Sequence, residues 1–422
     1  EEMEWMPNLG LLQIAACLPD DIEVEYIDEE YLSPEERATF PDRNDFDIVG
    51  LSVINAQASR AYQLADGFRA RGIPVALGGI HPTAVPEEAL QHADHIFLGE
   101  AEDTFPQFIE DFRAGRAKRI YSPEKMVDLT SLPPARLELM RPYIDKFNRF
   151  PIQVTRGCPR QCDFCFIHKL YGPLHRHKNI EQVTREIKML QDMVDDPFIS
   201  FADENMMIDF KFSKELVRAL IPLNIVWEGF CDISIARDTE LLDLLRESGC
   251  ATMLIGLESL DAESLSSLNL WKGKQVKNYR EAIKKIQDHG IGVTGLFIVG
   301  FDEDDYSVFR RLRDFARETE LFDMEVSSLC PFPGTKFWNR LESEGRILTR
   351  NWDRYTWIHV NFQTAKMTPD EVLEGLLWLF REMTDVEFLK RKTKHFHEVY
   401  KRHYMKLGIP PKKVEHRPGL PF

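Results

Sequence analysis

The sequence predicts an α/β protein in three parts: an N-terminal Rossmann-like, doubly wound domain, a central partial (β/α)6 barrel, and a mainly helical C-terminal domain. Two series of short apolar runs alternate with amphipathic stretches, which is typical of βαβ units around a parallel sheet. A proline-bearing, weakly periodic stretch separates the series, and 422 residues exceed one ordinary core. We therefore assign residues 1–115 and 150–345 to the two α/β domains, 116–149 to a connector and 346–422 to the C-terminal domain.

The first domain contains short apolar runs in the segments IEVEYID, FDIVGLSVI, IPVALGG and HIFLGE. We expect its first strand to be missing, because the sequence opens on EEMEWMPNLG, without an initiator Met or a leader. In such sheets a ligand binds beyond the carboxyl ends of the strands. The residues predicted at those ends, and thus at a cofactor surface, are Ser52, Gly78, Gly79, His81, Gly99 and Glu100.

Six β/α steps, from FPIQVTRGC to MEVSSLCPFPGT, predict the partial barrel. A barrel of six strands leaves a side opening, and the carboxyl ends of its strands should carry the chemistry, as in closed barrels. After about Gly345 the sequence becomes helical, and we expect a C-terminal cap. Four aromatic residues of this part are predicted to line an apolar pocket or, more economically, to form the core of the cap: Trp352, Tyr355, Trp357 and Trp378.

The composition argues against several classes of protein. A formal net charge of -16 disfavours a nucleic-acid substrate, although the basic run from Phe388 onward fits either a local basic patch or a solvated helix face. No uninterrupted apolar run approaches the roughly 20 residues of a membrane helix. Three of the seven cysteines are clustered and four are scattered, which favours a reducing cytoplasm over a disulfide framework.

The clustered cysteines are the strongest chemical signal. Cys158, Cys162 and Cys165 follow the first predicted barrel strand in the segment TRGCPRQCDFCF, and their spacing allows three thiolates to converge on one metal centre. Soft sulfur ligands suit either an iron-sulfur cluster or zinc. His168 is the candidate fourth ligand of a zinc site, but a large α/β body does not need a structural zinc ion to fold.

The pattern CxxxCxxC, with the aromatic Phe164 before the last cysteine and at the head of a six-step β/α series, resembles the radical S-adenosylmethionine superfamily. The resemblance implies that the three cysteines bind a [4Fe-4S] cluster. It also implies that the open iron chelates S-adenosylmethionine and that an electron from the cluster cleaves it to a 5'-deoxyadenosyl radical.

Later strand ends resemble the cofactor-contacting segments of the same superfamily. FADEN, with Asp203, Glu204 and Asn205, resembles the segment at the methionine amino group, although the familiar form is Gly-Gly-Glu and the acting side chain stays open. IGLES, with Glu258 and Ser259, resembles the segment near the ribose. GVTGLFIVG, ending at Gly300, resembles the segment beside the adenine, and PFPGT resembles the sixth-strand loop.

The segments DIVGLSV, VALGGIHPT and FLGEAEDTF resemble the cobalamin-binding domain that precedes the barrel in one large branch of the superfamily. The resemblance implies that glycines at the strand ends let the backbone approach the corrin ring. The alternative is a structural Rossmann-like domain that binds nothing. The Asp-x-His-x-x-Gly motif is absent, so we expect no histidine to ligate cobalt from below, and we do not assign ligation to His81.

The resemblance implies a cobalamin-dependent radical S-adenosylmethionine enzyme, with C-methylation of an unactivated carbon as the leading hypothesis. The same cofactors also serve a non-methylating cyclisation, ring contraction or oxidation, and a non-catalytic iron-sulfur or corrinoid carrier is the third hypothesis. We expect a small-molecule, lipid or tetrapyrrole-like substrate bound between the two α/β domains. A reductant such as flavodoxin or ferredoxin and anaerobic function are also expected.

Overall fold

The computed structural model describes residues 6–408. The end of the predicted C-terminal domain and of the basic run, residues 409–422, lies outside the described residues, as do residues 1–5. The strands are β1 Val49–Ser52, β2 Val75–Gly78, β3 His95–Phe97, β4 Ile120–Tyr121, β5 Phe150–Ile152, β6 Thr155–Arg156, β7 Arg176–His177, β8 Phe198–Phe201, β9 Val226–Cys231, β10 Cys250–Glu258, β11 Gly292–Val299 and β12 Asp323–Ser328.

Sixteen α-helices connect and flank these strands within the described part of the chain. They are α1 Leu9–Ala16, α2 Pro34–Thr39, α3 Ala58–Ala70, α4 Ile80–Ala84, α5 Pro86–His92, α6 Thr104–Arg113, α7 Ile167–Tyr171, α8 Ile180–Gln191, α9 Phe210–Leu220, α10 Thr239–Glu247, α11 Ala262–Ser267, α12 Tyr279–Asp288, α13 Ser307–Glu318, α14 Lys336–Ser343, α15 Pro369–Met383 and α16 Val386–Lys406. No helix among residues 6–408 is both long and apolar enough to cross a membrane.

The N-terminal domain is built on a four-stranded parallel sheet of order β1-β2-β3-β4. The carboxyl ends of β1 and β2 lie side by side, because Ser52 pairs with Gly78. β4 belongs to this sheet although it lies inside the predicted connector. Residues 22–28, which contain the apolar run IEVEYID, form no strand, because the ladder at the β1 edge does not continue to them.

The central domain is a six-stranded parallel sheet of order β12-β11-β10-β9-β8-β5. Its strands follow one another in chain order, each joined to the next by a helix, and β5 and β12 form the two open edges. This arrangement confirms the predicted α/β class and the partial (β/α)6 barrel. The carboxyl ends of all six strands lie at one mouth, which is where the cysteine loop and the strand-end segments meet.

Acidic side chains begin the helices at this mouth. Asp209 caps α9, Asp238 caps α10 and Asp261 caps α11, each accepting a hydrogen bond from a backbone N–H of the first turn. These caps fix the point at which each loop enters its helix. Each loop is thereby anchored at its strand end and at its cap, which keeps the strand-end segments at the mouth.

The C-terminal part contacts the mouth as well as the N-terminal domain: the N–H of Ser328, at the end of β12, donates to the carbonyl oxygen of Trp357 over 2.7 Å, and Thr364 lies beside Gly300 after the end of β11. Trp352 and Tyr355 join the apolar core of the N-terminal domain, and α15 packs on α13 outside the barrel. The helix α16 lies across the amino ends of the barrel strands, where Phe396 packs against Phe198 and Phe322. The predicted apolar pocket is thus not formed by the four aromatic residues as a set, because Trp352 and Tyr355 are buried in another core while Trp357 is 58% exposed.

One face of α16 explains much of the basic run. His395 donates a hydrogen bond to the carbonyl oxygen of Ala251 over 2.7 Å, and His403 lies 2.7 Å from a carboxylate oxygen of Asp196. Lys390, Lys394 and Lys401 are exposed on the other face. The described part of the run is therefore an amphipathic helix with one face on the barrel and one in solvent.

Candidate active site

The cysteine loop lies between β6 and α7, and its first turn requires glycine. Gly157 has a φ of +84°, and a Cβ atom at this position would lie 2.2 Å from the carbonyl oxygen of Leu174. The loop therefore folds directly against residues 172–174. β6 pairs with β7 in a short antiparallel ribbon, so that Arg156 faces Arg176 immediately before the loop begins.

The segment after β10 holds the other side of the loop. The N–H of Asp163 donates to the carbonyl oxygen of Leu268 over 3.2 Å, and the Asn269 amide donates to that of Gln161 over 3.1 Å. The Arg160 guanidinium lies over the Trp271 ring, 4.0 Å from its centroid. Residues 172–174 on one side and residues 268–271 on the other thus fix the backbone that carries the three thiols.

The three thiols are half-buried and influence one another. Burial raises the pKa of Cys162 to about 12 and that of Cys165 to about 11, and the neighbouring thiols raise both further. The pKa of Cys158 is also raised, first by burial. Neutral thiols are therefore favoured until a metal centre supplies positive charge, because coordination deprotonates the ligand.

The donor set fits an iron-sulfur cluster better than a single zinc ion. His168, the alternative zinc ligand, donates its Nε2 hydrogen to the backbone carbonyl of Arg160. Three thiols in one loop, with the His168 imidazole engaged elsewhere, suit a cluster that leaves one iron open.

The segment after β8 separates three predicted residues by role. Asp203 is fully buried and accepts hydrogen bonds from the N–H of Val154 (3.2 Å) and the hydroxyl of Thr155 (2.5 Å), which ties this segment to the strand before the cysteine loop. Asn205 exchanges hydrogen bonds with Asp232 at the end of β9. These two side chains are committed to protein partners.

Glu204 is different, because its buried Oε2 has no hydrogen-bond partner among the described residues. Burial, followed by the charge of Asp203, raises the Glu204 pKa to about 7. The carboxyl also lies close enough to raise the pKa values of Cys158 and Cys165. A cationic group bound beside the thiols would satisfy this orphaned oxygen.

The fourth strand ends in a strained backbone. Glu258 has a φ of +64°, and the pairing of β10 with β11 shifts register between Gly256 and Glu258. The Lys272 ammonium donates to Glu258 Oε1 over 2.7 Å, and Ser259 is 4% exposed and accepts from the N–H of Asp261. Positive φ at a glutamate is uncommon and is concentrated at functional sites.

The fifth strand end is shaped by a residue that the sequence analysis did not single out. The N–H groups of Gly300 and Phe301 both donate to Asp304 Oδ2, at 3.0 and 3.1 Å, and Oδ1 of Asp304 is buried without a partner in the described structure. Burial raises the pKa of Asp304 to about 6. Phe164 packs on the barrel core from the cysteine loop.

The carboxyl ends of β1, β2 and β3 form a second edge, in the N-terminal domain. Ser52, Gly78 and Gly99 present only small side chains there, and the Gly99 N–H donates to the hydroxyl of Thr83 over 3.0 Å. The positive φ of Gly79 has a local cause, since a Cβ atom would lie 2.9 Å from the carbonyl oxygen of Val53. The helix α4 that follows packs beside α7, so this edge adjoins the cysteine loop.

His81 points into the interior of the N-terminal domain. Its Nδ1 donates to Asn55 Oδ1 over 3.1 Å, and the Tyr62 hydroxyl donates to its Nε2 over 2.8 Å. The side chain is fully buried. Both ring nitrogens are therefore occupied, and the imidazole is not available to a metal in this arrangement.

Comparison with known proteins gives three consecutive matches. Residues 152–316 match the radical SAM superfamily, residues 4–109 match the B12 binding domain, and residues 335–416 match a domain of unknown function, DUF4070. A bacteriochlorophyllide d C-12(1)-methyltransferase of Chlorobaculum tepidum is 30% identical over 382 residues, which are 89% of this chain and 82% of that protein. The chain belongs to the cobalamin-dependent radical S-adenosylmethionine superfamily.

Other members of the superfamily are similar over most of the chain. A hopanoid C-2 methylase of Rhodopseudomonas palustris is 29% identical over 358 residues, 82% of this chain and 66% of that protein. The solved structure of OxsB, with aqua-cobalamin and S-adenosylmethionine bound, matches 96% of this chain and 68% of its own at a TM-score of 0.72 and 16% identity. The solved structure of TsrM from Kitasatospora setae, with cobalamin and a [4Fe-4S] cluster bound, matches 82% of this chain and 76% of its own. The TM-score is 0.68 and the sequence identity is 16%.

As a cobalamin-dependent radical S-adenosylmethionine enzyme, the protein uses a [4Fe-4S] cluster, S-adenosylmethionine and cobalamin. Cys158, Cys162 and Cys165 would hold the cluster, and Glu204 would receive the methionine ammonium. The edge at Ser52, Gly78 and Gly99 has the open backbone that a corrin ring requires.

The structure corrects the predicted role of Glu100. Sequence analysis placed it at the cofactor surface, but its carboxylate is fully buried and both oxygens accept hydrogen bonds from protein groups. Its partners include Arg156 and Arg176, two residues that sequence analysis did not predict as functional. The sequence contains a sign that Arg156 is functional, because a charged residue follows the largely apolar run FPIQV. Lys272, which pairs with Glu258, lies in an aperiodic segment that contains no such sign.

Proposed function

We propose that this enzyme is a C-methyltransferase that methylates an unactivated carbon of a cyclic tetrapyrrole. The carrying observation is that one chain brings three half-buried thiols and the Glu204 carboxyl, whose Oε2 has no partner among the described residues, to the barrel mouth, and packs the glycine-bearing edge of a B12 binding domain beside them. A radical site next to a corrin site is the arrangement that methyl transfer to carbon needs.

The residues of the chain bind and orient the reactants. Glu204 accepts hydrogen bonds from the methionine ammonium, while Lys272 holds the Glu258 carboxylate at the strained end of β10. Asp203 and Asn205 fix the backbone on either side of Glu204 through Thr155 and Asp232. When bound, the cluster supplies the electron that cleaves S-adenosylmethionine, and cobalamin supplies the methyl group.

The relatives support a tetrapyrrole as the substrate class. Two proteins of Chlorobaculum tepidum named for methylation of bacteriochlorophyllide d are 30% and 27% identical, and this chain covers 82% of each. A flat, largely apolar macrocycle also suits a site between two packed domains. A lipid substrate is less supported, because this chain covers 66% of the hopanoid methylase.

A second candidate function is a radical cyclisation of the same substrate class without methylation. An anaerobic magnesium-protoporphyrin IX monomethyl ester cyclase of Rubrivivax gelatinosus is 27% identical over 365 residues, 63% of its own length. The shared cofactors serve both outcomes, so the mass of the product separates them. Methylation adds one CH₂ group to the product, whereas cyclisation leaves its number of carbon atoms unchanged.

The test is anaerobic reconstitution with iron, sulfide and hydroxocobalamin, followed by reduction and incubation with S-adenosylmethionine and bacteriochlorophyllide d. We expect four irons and one cobalamin per chain, formation of 5'-deoxyadenosine, and a product heavier by one CH₂ group. A product with a new ring and an unchanged number of carbon atoms would support the cyclase instead. Zinc in place of iron, or a cluster without S-adenosylmethionine cleavage, would overturn the assignment of radical chemistry.

Variants of single cysteines provide the control. Cys158→Ala removes one cluster ligand and should abolish 5'-deoxyadenosine formation. Cys250→Ala changes a buried thiol at the amino end of β10, at the opposite end of the strand from the mouth, and should leave iron content and activity unchanged. Equal iron content in the two variants would contradict the ligand assignment.

The remaining partners follow from the chemistry. We propose that a low-potential flavodoxin or ferredoxin supplies the electron, that the protein acts in the cytoplasm, and that it requires anaerobic conditions because an open iron reacts with oxygen. Replacing dithionite with reduced flavodoxin or ferredoxin in the same assay should support 5'-deoxyadenosine formation. Failure with both proteins would exclude them as direct donors.

A further inference from the structure

Four charged side chains from the two α/β domains are buried together, and we call them the interdomain charge cluster. Glu100 and Glu102 follow β3 in the N-terminal domain, whereas Arg156 ends β6 and Arg176 begins β7 in the barrel domain. Glu100, Glu102 and Arg156 are 3%, 7% and 5% exposed, and the side chain of Arg176 is 15% exposed. Charged residues are almost never buried to this degree unless they are paired.

Both terminal nitrogens of the Arg156 guanidinium are paired within the interdomain charge cluster. Its Nη1 donates to Glu100 Oε1 over 3.0 Å, and its Nη2 donates to Glu102 Oε1 over 2.5 Å. The Nε of the same group donates to Gln153 over 2.7 Å. Arg176 Nη2 reaches the same Glu100 oxygen at 3.0 Å. Two positive and two negative charges therefore balance.

The connector also enters the cluster. Glu100 Oε2 accepts from the N–H of Val127 over 3.0 Å, and Arg176 Nη1 donates to the carbonyl oxygen of Val127 over 2.5 Å. Three segments remote in sequence, the loop after β3, the connector and the β6–β7 ribbon, are thus joined by directional bonds. Apolar contacts would allow these segments to slide, whereas bonds to a planar guanidinium fix both distance and angle.

The position of the cluster suggests more than a general contribution to stability. Arg156 lies two residues before Cys158, and Glu100 follows Gly99, which belongs to the predicted corrin edge. The backbone between Arg156 and Cys158 is Gly157, held against Leu174 at a contact that no side chain would allow. The cluster therefore connects the start of the thiol loop to the end of a corrin-facing strand through a few covalent bonds on each side.

We propose that the interdomain charge cluster is a positioning device that sets the separation and orientation of the iron-sulfur loop relative to the cobalamin edge. The proposal rests on the proposed function, because it assigns the cluster a role in placing two cofactors of that function. Arg156 and Glu102 are positioning residues and contact neither cofactor. Loosening the interdomain charge cluster should let the iron-sulfur loop and the cobalamin edge move relative to each other without removing a ligand of either cofactor.

The first measurement uses hydrogen exchange on the full-length apoprotein. Glu102→Gln keeps the shape of the side chain and removes one charge, so we expect at least tenfold faster exchange in residues 99–103 and 155–158. The control is Glu186→Gln, which breaks an equally buried ion pair with Lys178 (2.7 Å) that lies within the barrel domain alone. It should not change exchange in residues 99–103, because Lys178 bonds to Val154 on the barrel side only; acceleration of both segments together is expected for Glu102→Gln alone.

The second measurement uses the reconstituted holoenzyme loaded with hydroxocobalamin and reduced by dithionite. Pulsed electron paramagnetic resonance gives the distance between the unpaired spins on cobalt and on the reduced cluster. Wild type and Glu186→Gln should show one narrow distance, and Glu102→Gln should show a broadened or shifted one at unchanged iron and cobalamin content. If Glu102→Gln does not fold, Arg176→Lys, which keeps the charge but cannot bond to Glu100 and to the Val127 carbonyl oxygen in the same fork geometry, should show a smaller change in the same segments.

Unchanged exchange in both segments, with an unchanged spin-to-spin distance, would overturn the positioning role. If wild-type protein does not bind hydroxocobalamin, the proposed function fails, and the exchange measurement alone then decides whether the cluster fixes the thiol loop against the N-terminal domain. The two failures are therefore distinguishable.

Discussion

Glu204 is the residue whose geometry most directly predicts a ligand contact. It is flanked by Asp203 and Asn205, which bond to Thr155 and Asp232, while its own Oε2 is buried without a partner among the described residues. A charge-assisted hydrogen bond to an ammonium is worth about 1.5–3 kcal/mol. The FADEN segment is thus predicted to have one ligand-binding position, Glu204, between two structural ones.

Glu204→Gln should therefore weaken S-adenosylmethionine binding by roughly 10- to 100-fold, since about 1.4 kcal/mol is a factor of ten. Iron content should stay the same, because the glutamate is not a cluster ligand. The measurement is the KM for S-adenosylmethionine in the 5'-deoxyadenosine assay, together with the iron content. As a contrast, Asp203→Asn should lower the thermal unfolding midpoint, because it disturbs the acceptor of the Val154 and Thr155 donors. A change of less than twofold in KM for Glu204→Gln would contradict the assignment.

His81 predicts a pH dependence of stability. Burial lowers its pKa below the ordinary value, and Glu88, 3.6 Å from Nε2, offsets this only in part. The unfolded chain therefore takes up a proton at about pH 6.5, before the folded chain does. The contribution of His81 to stability is complete above about pH 6.5 and falls as the pH drops towards the lower folded pKa, by at most about 1.4 kcal/mol per pH unit.

His81→Gln should reduce this acid sensitivity. We expect the difference in the urea midpoint between pH 7.5 and pH 5.5 to be smaller in this variant than in wild type, measured on apoprotein under reducing conditions. His92→Gln is the control, because His92 stacks on the same Tyr62 ring but its side chain is 28% exposed. Identical pH differences in all three proteins would show that His81 does not titrate in the assumed window.

At the scale of elements, the docking of α15 on α13 depends on one glycine. A Cβ atom at Gly375 would lie 1.9 Å from Cε2 of Phe309, a ring that is fully buried. Helix propensity favours alanine over glycine by about 1 kcal/mol. Overpacking a buried ring costs about 1–3 kcal/mol, and more when the backbone has to move. The packing effect is the larger, so the helices must separate if a side chain is added.

Gly375→Ala should therefore lower the free energy of unfolding, although alanine is the better helix former. Gly67→Ala in α3 is the matched control, because its nearest neighbour is the flexible end of Arg71 at 3.7 Å, and it should be neutral or stabilising. Thermal unfolding of the two variants gives the comparison. Phe309→Leu should partly rescue Gly375→Ala. Equal stabilisation by both glycine replacements would show that α15 is not held closely against α13.

Sequence periodicity predicts most elements of the barrel and little about which charged groups meet. Each predicted β/α step has its strand and helix, because alternation between apolar runs and amphipathic helices is a local property of the chain. The spacing of the three cysteines predicts that they bind the iron-sulfur cluster, and this assignment stays a prediction. The role of Glu100 was not predictable, because a carboxylate that follows a strand has the same local pattern whether it faces a cofactor or an arginine 56 residues later. Residues 22–28 form no strand for a similar reason, since a strand needs a partner that local pattern does not supply.

At the scale of the whole molecule, the segment that follows the barrel packs against the N-terminal domain. Trp352 packs in the core of the N-terminal domain, with its ring 4.8 Å from that of Tyr355 and edge-on to His81 at 5.1 Å. Its indole N–H donates to Glu88 over 2.6 Å. The N-terminal domain is thus held from two sides, by the interdomain charge cluster at the cysteine loop and by this tryptophan from the C-terminal part.

Trp352→Ala should consequently loosen the N-terminal domain at a distance of more than 250 residues in sequence. Truncation of a buried tryptophan costs about 3–5 kcal/mol, and the loss falls on the elements it contacts, so we expect faster hydrogen exchange in α4 and α5 and unchanged exchange in α9 and α10. Trp357→Ala, five residues further along, removes a side chain that is 58% exposed and should change neither pair of helices.

Uniform acceleration in all four helices would mean that the molecule unfolds as one unit, and no acceleration in α4 and α5 would mean that the C-terminal part does not support the N-terminal domain. Acceleration confined to α4 and α5 would instead establish that the part of the chain after the barrel maintains the domain that adjoins the iron-sulfur loop, which explains why the barrel and the two parts around it occur in one chain.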